Sequence, residues 1–323
     1  MQLKELGVLW GVVAGVAGLS AFLAHGTAPA TTPVAIVSPP TALPARPLIR
    51  ASELLEHANP RRLGLRSDVA LVFDESDSVP LYERNSDTPR PIASLTKLMT
   101  ALVVLEAKLP LAEEITVTHE DRDRLRGSRS RLPFKTTLTR QDLLLAALAA
   151  SDNRAAAALA RTYPGGTSAF IRAMNQTAQR LGMTRSRFAD AAGLDSGNIS
   201  TARDLVKLVT ALDAHPLIAQ LSTHERFDLT DPHSGRRLTF VNTNRFVRGD
   251  RWDIALSKTG YTADAGNCLV MRANVGDRPL TIVLLNSWGK HSKYGDSVRI
   301  RDWLLQSERA ARKTNATLVK TSL

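Results

Sequence analysis

The sequence reads as an α/β chain whose antiparallel sheet is assembled from both chain ends, with helices on its faces and an α-helical lobe inserted between. Two short β-type runs, Asp68–Asp74 and Val79–Glu83, stand early. From Ser94 to about Ile218 apolar residues recur at helical spacing, and beyond residue 235 the pattern returns to strands. Strands at both ends around a helical middle require a sheet joined across the termini.

Taken in order, Lys4 and Glu5 precede an apolar run from Leu6 to Ala24, and small residues follow in Ala24-His25-Gly26 and Ala28-Pro29-Ala30. That pattern reads as a signal peptide over residues 1–30. An uncleaved membrane anchor is the alternative, because the run is just long enough to span a bilayer. Either reading exports the rest of the chain, and the expected location is periplasmic. Six of the sixteen prolines fall within residues 27–48, so a Pro-rich linker is assigned to 31–55. The folded domain is set at 56–307 and a frayed basic tail at 308–323.

Within the domain, the turn-prone Glu75–Ser78 joins the first two runs as a hairpin. Leu95, Leu98, Met99, Leu102 and Leu105 form one apolar helix face that stops before Pro110. Thr139 with Asp142, and Thr201 with Asp204, have capping-box spacing. A helix after Asn153 is closed by Pro164-Gly165-Gly166, and another ends near Gly182. Strands are expected at Arg237–Val241, Ile254–Gly260, Asn267–Arg272 and Leu280–Asn286, with a tight turn at Gly276-Asp277 and a last helix over Asp296–Ser307.

Composition limits the function classes. With 323 residues, 43% hydrophobic and 23% charged, the chain is globular. Its one cysteine, Cys268, forms no internal disulfide and reads as a small buried strand residue. The net charge of +11 favours polyanionic partners. Arginines interleaved with acids, as in Asp121-Arg122-Asp123-Arg124, and the lack of any recognition module argue against nucleic acid. Peripheral association with an anionic wall polymer or membrane surface fits an exported basic protein better.

Three motifs stand in order: Ser94-Leu95-Thr96-Lys97, Ser151-Asp152-Asn153 and Lys258-Thr259-Gly260. Ser-x-x-Lys alone is weak, and Ser287-Trp288-Gly289-Lys290 is a second match, but only Ser94 opens an apolar-faced helix that puts Ser and Lys on one side. A serine hydroxyl needs an adjacent base, and lysine is a base only when neutral. Burial and a second cation, for which Lys258 is the candidate, would lower its pKa. Ser151-Asp152-Asn153 lies between helices and, taken alone, reads first as capping. Lys258-Thr259-Gly260 closes a strand where glycine lets another backbone approach and Thr and Lys can hold a carboxylate.

This triple set resembles that of β-lactamases and penicillin-binding proteins. Pro91–Lys97, Gly127–Leu132, Ser151–Ala155 and Ser200–Asp204 extend the similarity to the serine D-alanyl-D-alanine peptidases, in particular their endopeptidase branch. The resemblance implies a β-lactamase/transpeptidase-like fold, peptidoglycan stem peptides as substrate and β-lactams as acylating inhibitors, with no cofactor and no metal. It assigns Ser94 as nucleophile, Lys97 as its base and Ser151 as proton relay to the leaving amine. Asn153 would orient the acyl side, Lys258 would supply positive charge, and the backbone N–H groups of Ser94 and Tyr261 would form the oxyanion hole. Substrate would lie antiparallel along Lys258-Thr259-Gly260.

The chain beyond Gly260 is too short for the β-rich domain and amphipathic helix of many family carboxypeptidases, which favours an endopeptidase that cuts D-Ala–diaminopimelate crosslinks. D-alanyl-D-alanine carboxypeptidase activity is the alternative, and a non-catalytic peptidoglycan-binding protein the third reading. The Glu-x-x-Leu-Asn segment of class A β-lactamases is absent.

Overall fold

The computed structural model describes residues 48–321, so the expected signal peptide and most of the linker lie outside the described residues. The elements run α1 Ala51–His57, β1 Ser67–Asp74, β2 Val79–Arg84, β3 Arg90–Pro91, α2 Thr96–Glu106, β4 Glu114–Thr116, β5 Thr137–Thr139 and α3 Arg140–Leu148. They continue as α4 Asn153–Arg161, α5 Gly166–Arg180, β6 Ile199–Ser200, α6 Ala202–Ala211, α7 Pro216–Ser222, β7 Arg226–Thr230 and β8 Arg237–Val241. β9 Asp253–Thr262, β10 Gly266–Val275, β11 Arg278–Ser287 and α8 Ser292–Thr321 complete the chain.

The main sheet has the strand order β2-β1-β11-β10-β9, and every neighbouring pair is antiparallel. Thus β1 from the N-terminal part pairs with β11 from the C-terminal part, as expected. Successive side chains on a strand face opposite ways. Val69, Leu71, Cys268, Val270, Val283 and Leu285 join the core shared with the helical lobe, while Ala70, Val72, Leu269, Met271, Ile282 and Leu284 pack with α1 and α8. Both faces are covered, giving a helix–sheet–helix sandwich. The buried Cys268 thiol is pushed up to about 11 by burial, in keeping with a packing residue.

Two terminal expectations are corrected. Residues 51–55 of the assigned linker are helical, as part of α1, with Ala51 and Leu54 buried beside Ile300, Trp303 and Leu304. No proline follows Pro47 before this segment, and its apolar side chains have a cluster to join. The tail expected to fray after 307 continues α8 to Thr321. No Gly or Pro interrupts it, Glu308 pairs with Arg312 one turn on, and Ala311 is buried.

The helical lobe carries the expected caps. Thr139 and Asp142 form a reciprocal capping box at α3, and the Thr201 hydroxyl accepts from Asp204 N at α6. Two hairpins were not anticipated. One pairs β4 with β5, and the other pairs β7 with β8, where the alternation Arg226-Phe227-Asp228-Leu229 buries Phe227 and Leu229.

Candidate active site

The three motifs converge between the lobe and the edge of the sheet. Ser94 lies in a 3-10 turn, Ala93–Leu95, that leads directly into α2, so Lys97 follows one turn on and faces the same way. Ala93, just before the nucleophile candidate, has φ +47, a left-handed conformation that is costly for a residue with a Cβ. Two glycines hold this turn. At Gly260 a Cβ would stand 3.0 Å from Ile92 O and Ser94 N, and at Gly193, with φ +79, it would stand 1.9 Å from Ala93 O. The glycine of Lys258-Thr259-Gly260 therefore allows a close backbone approach, as read from sequence.

Lys97 is completely buried. Its Nζ is 2.9 Å from Ser94 Oγ and 2.7 Å from both Asn153 Oδ1 and Ala192 O. Burial lowers the ammonium to about 8, against a partial upward pull from Asp190, Asp152 and Asp123. When the amine is neutral, two N–H bonds can serve Asn153 and Ala192, leaving the lone pair to Ser94. Burial, one of the two causes expected from sequence, lowers Lys97, and the Lys258 charge, the other, is not among the groups that shift it. Lys258 is itself held well below the usual lysine range by burial and then by the charges of Lys97 and Lys293.

Ser151 and Asn153 flank the start of α4. Asp152 is the N-cap, its carboxylate accepting from Ala155 N at 3.1 Å, so capping and site placement coexist in one tripeptide. Ser151 has φ +58 and brings its Oγ to 2.9 Å from Lys258 Nζ. Thr259 Oγ1 donates to Thr243 Oγ1 at 2.7 Å. Tyr261 pairs with Asn267 of β10, and its side chain is exposed. β9 is an edge strand of the main sheet, so among the described residues its outer hydrogen-bonding edge has no sheet partner.

Four supporting groups had no assigned role in the sequence reading. Ser128 accepts from Asn153 Nδ2 at 2.7 Å, and Ser130 Oγ donates to the Asp152 carboxylate at 2.8 Å. Asp190 gathers the backbone N–H groups of Ala192, Gly193, Leu194 and Asp195, which fixes Ala192 O for Lys97. Thr243 holds Thr259. Asp190 followed by Gly193 is a turn signal visible in sequence; the others meet their partners only in the fold. Ser287 ends β11 and bonds Ser67 and Asn267, so the second Ser-x-x-Lys match plays no part here. Among the described residues no cluster of His, Cys, Asp or Glu is placed to hold a metal.

A buried lysine against a serine, with a second serine–lysine pair beside it, is the arrangement of a serine hydrolase. The chain belongs to the D-alanyl-D-alanine carboxypeptidase family, whose family model matches residues 56–289. It is 44% identical over 245 residues to a Pseudomonas aeruginosa D-alanyl-D-alanine endopeptidase, covering 76% of this chain and 79% of that one. Identity to the Escherichia coli D-alanyl-D-alanine endopeptidase is 44% over 240 residues, with coverage of 74% and 77%. Among solved structures, penicillin-binding protein D2 from Listeria monocytogenes in its cefotaxime-bound form superposes with TM-score 0.64 at 28% identity, over 75% of this chain and 98% of that one. A Streptomyces DD-transpeptidase shares the fold with TM-score 0.69 at 24% identity, over 75% and 97%.

Proposed function

We propose that this protein is a periplasmic D,D-endopeptidase that hydrolyses D-Ala–diaminopimelate crosslinks of peptidoglycan through a Ser94 acyl-enzyme, and that β-lactams inhibit it by acylating the same oxygen. The observation that carries this reading is the buried Lys97 Nζ at 2.9 Å from Ser94 Oγ, its ammonium lowered to about 8. Neutral Lys97 takes the Ser94 proton as Oγ attacks the D-Ala carbonyl. The oxyanion is met by the N–H groups of Ser94 and Tyr261. On collapse Ser151 gives its proton to the departing amine and is reprotonated from Lys258, which recovers a proton from Lys97, so that Lys97 is neutral again. Water then attacks the acyl carbon and gives its proton to Lys97, which passes it to Ser94 as the acyl bond breaks.

Asn153 places the acyl side, and the free edge of β9 at Lys258-Thr259-Gly260 pairs with an extended peptide. The relatives at 44% identity are endopeptidases, whereas the Escherichia coli carboxypeptidase DacC is 32% identical, which supports crosslinks over terminal D-Ala as the preferred bond. The net charge of +11 supports retention on anionic wall or membrane surfaces.

Intact mass after exposure to penicillin tests the site: one adduct is expected on the wild type and none on Ser94→Ala. An unmodified wild type, or an adduct that persists in the variant, would overturn the assignment. Chromatography of crosslinked dimers and free pentapeptides then separates endopeptidase from carboxypeptidase.

A further inference from the structure

Residues 122–131, which wall the cleft on the helical-lobe side beside Asn153, hold five arginines and one acid. That acid, Asp123, is taken up internally, its carboxylate accepting from the backbone N–H groups of Leu125, Arg126 and Ser128 at 2.8–2.9 Å. The wall therefore presents positive charge to the cleft. Ser128 and Ser130 tie it, through Asn153 and Asp152, to the start of α4.

One of these arginines spans the cleft. Arg126 reaches from the lobe to the turn between β9 and β10, where it pairs with Asp264, and its Nε donates to Leu194 O. Both anchors are themselves fixed. Leu194 belongs to the turn that Asp190 holds, and the β9–β10 turn is closed by Ala265 N donating to Thr262 Oγ1 at 3.1 Å. With Nε and Nη2 engaged, Nη1 has no partner among the described residues, so its N–H groups are held in place and unused. The side chain is 27% exposed, which leaves it open to a ligand.

The antiparallel pairing of substrate with β9 sets what meets this arginine. Tyr261 N–H faces the scissile carbonyl, so the D-Ala that carries it stands opposite Tyr261. Upstream, the acyl strand runs towards the C-terminal end of β9. Counting D-Ala as the first residue, the second stands opposite Thr262 and the third opposite Ala263, at about 3.4 Å per residue. In a peptidoglycan stem that third residue is a glutamate joined through its side-chain carboxyl. Its α-carboxylate is therefore free and lies about one residue-length further along. That is the level of Asp264, where Arg126 crosses.

We infer that Arg126 reads this carboxylate, its Nη1 donors binding the free α-carboxylate of the third acyl-side residue and so seating the strand along β9. Asp264 and Leu194 O aim the guanidinium rather than touch substrate. Endopeptidase and carboxypeptidase share the acyl side, so the inference rests on the Ser94 acyl-enzyme reading above and on neither choice of bond.

The test compares kcat/KM on crosslinked dimers, and on pentapeptides, whose third acyl-side residue carries either the free carboxylate or its carboxamide. The wild type is expected to favour the carboxylate form about fivefold, mainly through KM and less so at high salt. In Arg126→Gln the ratio should fall to about one, through loss on the carboxylate form alone. Arg126→Lys keeps the charge without the fork and should retain part of the preference, which holds the test open even where the glutamine variant does not fold. A wild-type ratio of one would overturn the inference. So would a ratio that Arg126→Gln leaves unchanged because both forms slow equally, which would make Arg126 a structural tie. Penicillin labelling of the wild type separates the two readings. A labelled enzyme that cuts both forms alike loses the Arg126 assignment alone, whereas an enzyme that neither labels nor cuts loses the acyl-enzyme reading as well.

Discussion

Lys97 must shed its proton before it can accept one from Ser94. Because burial brings its ammonium to about 8, the free base dominates above that pH and is scarce below it. The rate of β-lactam acylation should therefore rise with pH through a limb centred near 8, well below the value of about 10 for a solvated lysine. Rapid-mixing fluorescence with a labelled penicillin would show it, and a limb near 10 would mean that the amine is solvated in solution. Lys97→Arg stays charged across this range and should acylate about a thousandfold more slowly. The identity of these residues was legible in sequence because the three motifs are local strings. That burial would help lower the lysine was expected, but its completeness was not legible, since burial is set by the whole core around α2 rather than by the neighbouring motif.

At the level of elements, the site depends on turns that the sequence only partly discloses. Gly193→Ala would drive a Cβ into the carbonyl of Ala93 and demand φ +79 of an alanine. We expect a loss of about 2–4 kcal/mol in stability, together with penicillin labelling, because the nucleophile turn has to move. A variant that melts and labels like the wild type would show that this contact is not needed. Asp152→Ala removes the cap of α4 and releases Ser130 Oγ and Arg131 N. Denaturant titration should find about 1–3 kcal/mol lost, and KM for crosslinked peptide should rise as the 127–132 loop loosens. Capping boxes were readable because donor and acceptor lie three residues apart. The bonds from Lys97 to Ala192, Asn153 to Ser128 and Thr259 to Thr243 cross 95, 25 and 16 residues, so no local pattern announces them. Positive φ at Ala93 and Ser151 was equally hidden, since neither residue type signals it.

Over the whole molecule, the sheet is closed by strands from opposite ends of the domain, and α1 and α8 cover the face away from the helical lobe. This long-range pairing was legible because strand runs enclosed a helical middle. The extent of α8 was missed because a charged, Ala-rich segment reads equally as a frayed tail until its buried contacts are seen. Ala311 is buried, Glu308 pairs with Arg312, and Asn315 reaches Glu53 of α1 at 3.5 Å. Truncation after Ser307 should therefore cost about 1–2 kcal/mol and lower Tm by a few degrees. Truncation after Asn315 keeps these contacts and should melt close to the full chain. Penicillin labelling should persist in both, because α8 meets the sheet on the face opposite the lobe and its tail lies far along the chain from Lys293. Equal melting of the two truncations would restore the frayed-tail reading, whereas lost labelling in the shorter one would mean that the α1–α8 layer holds the sheet edge on which Lys258 and Thr259 sit.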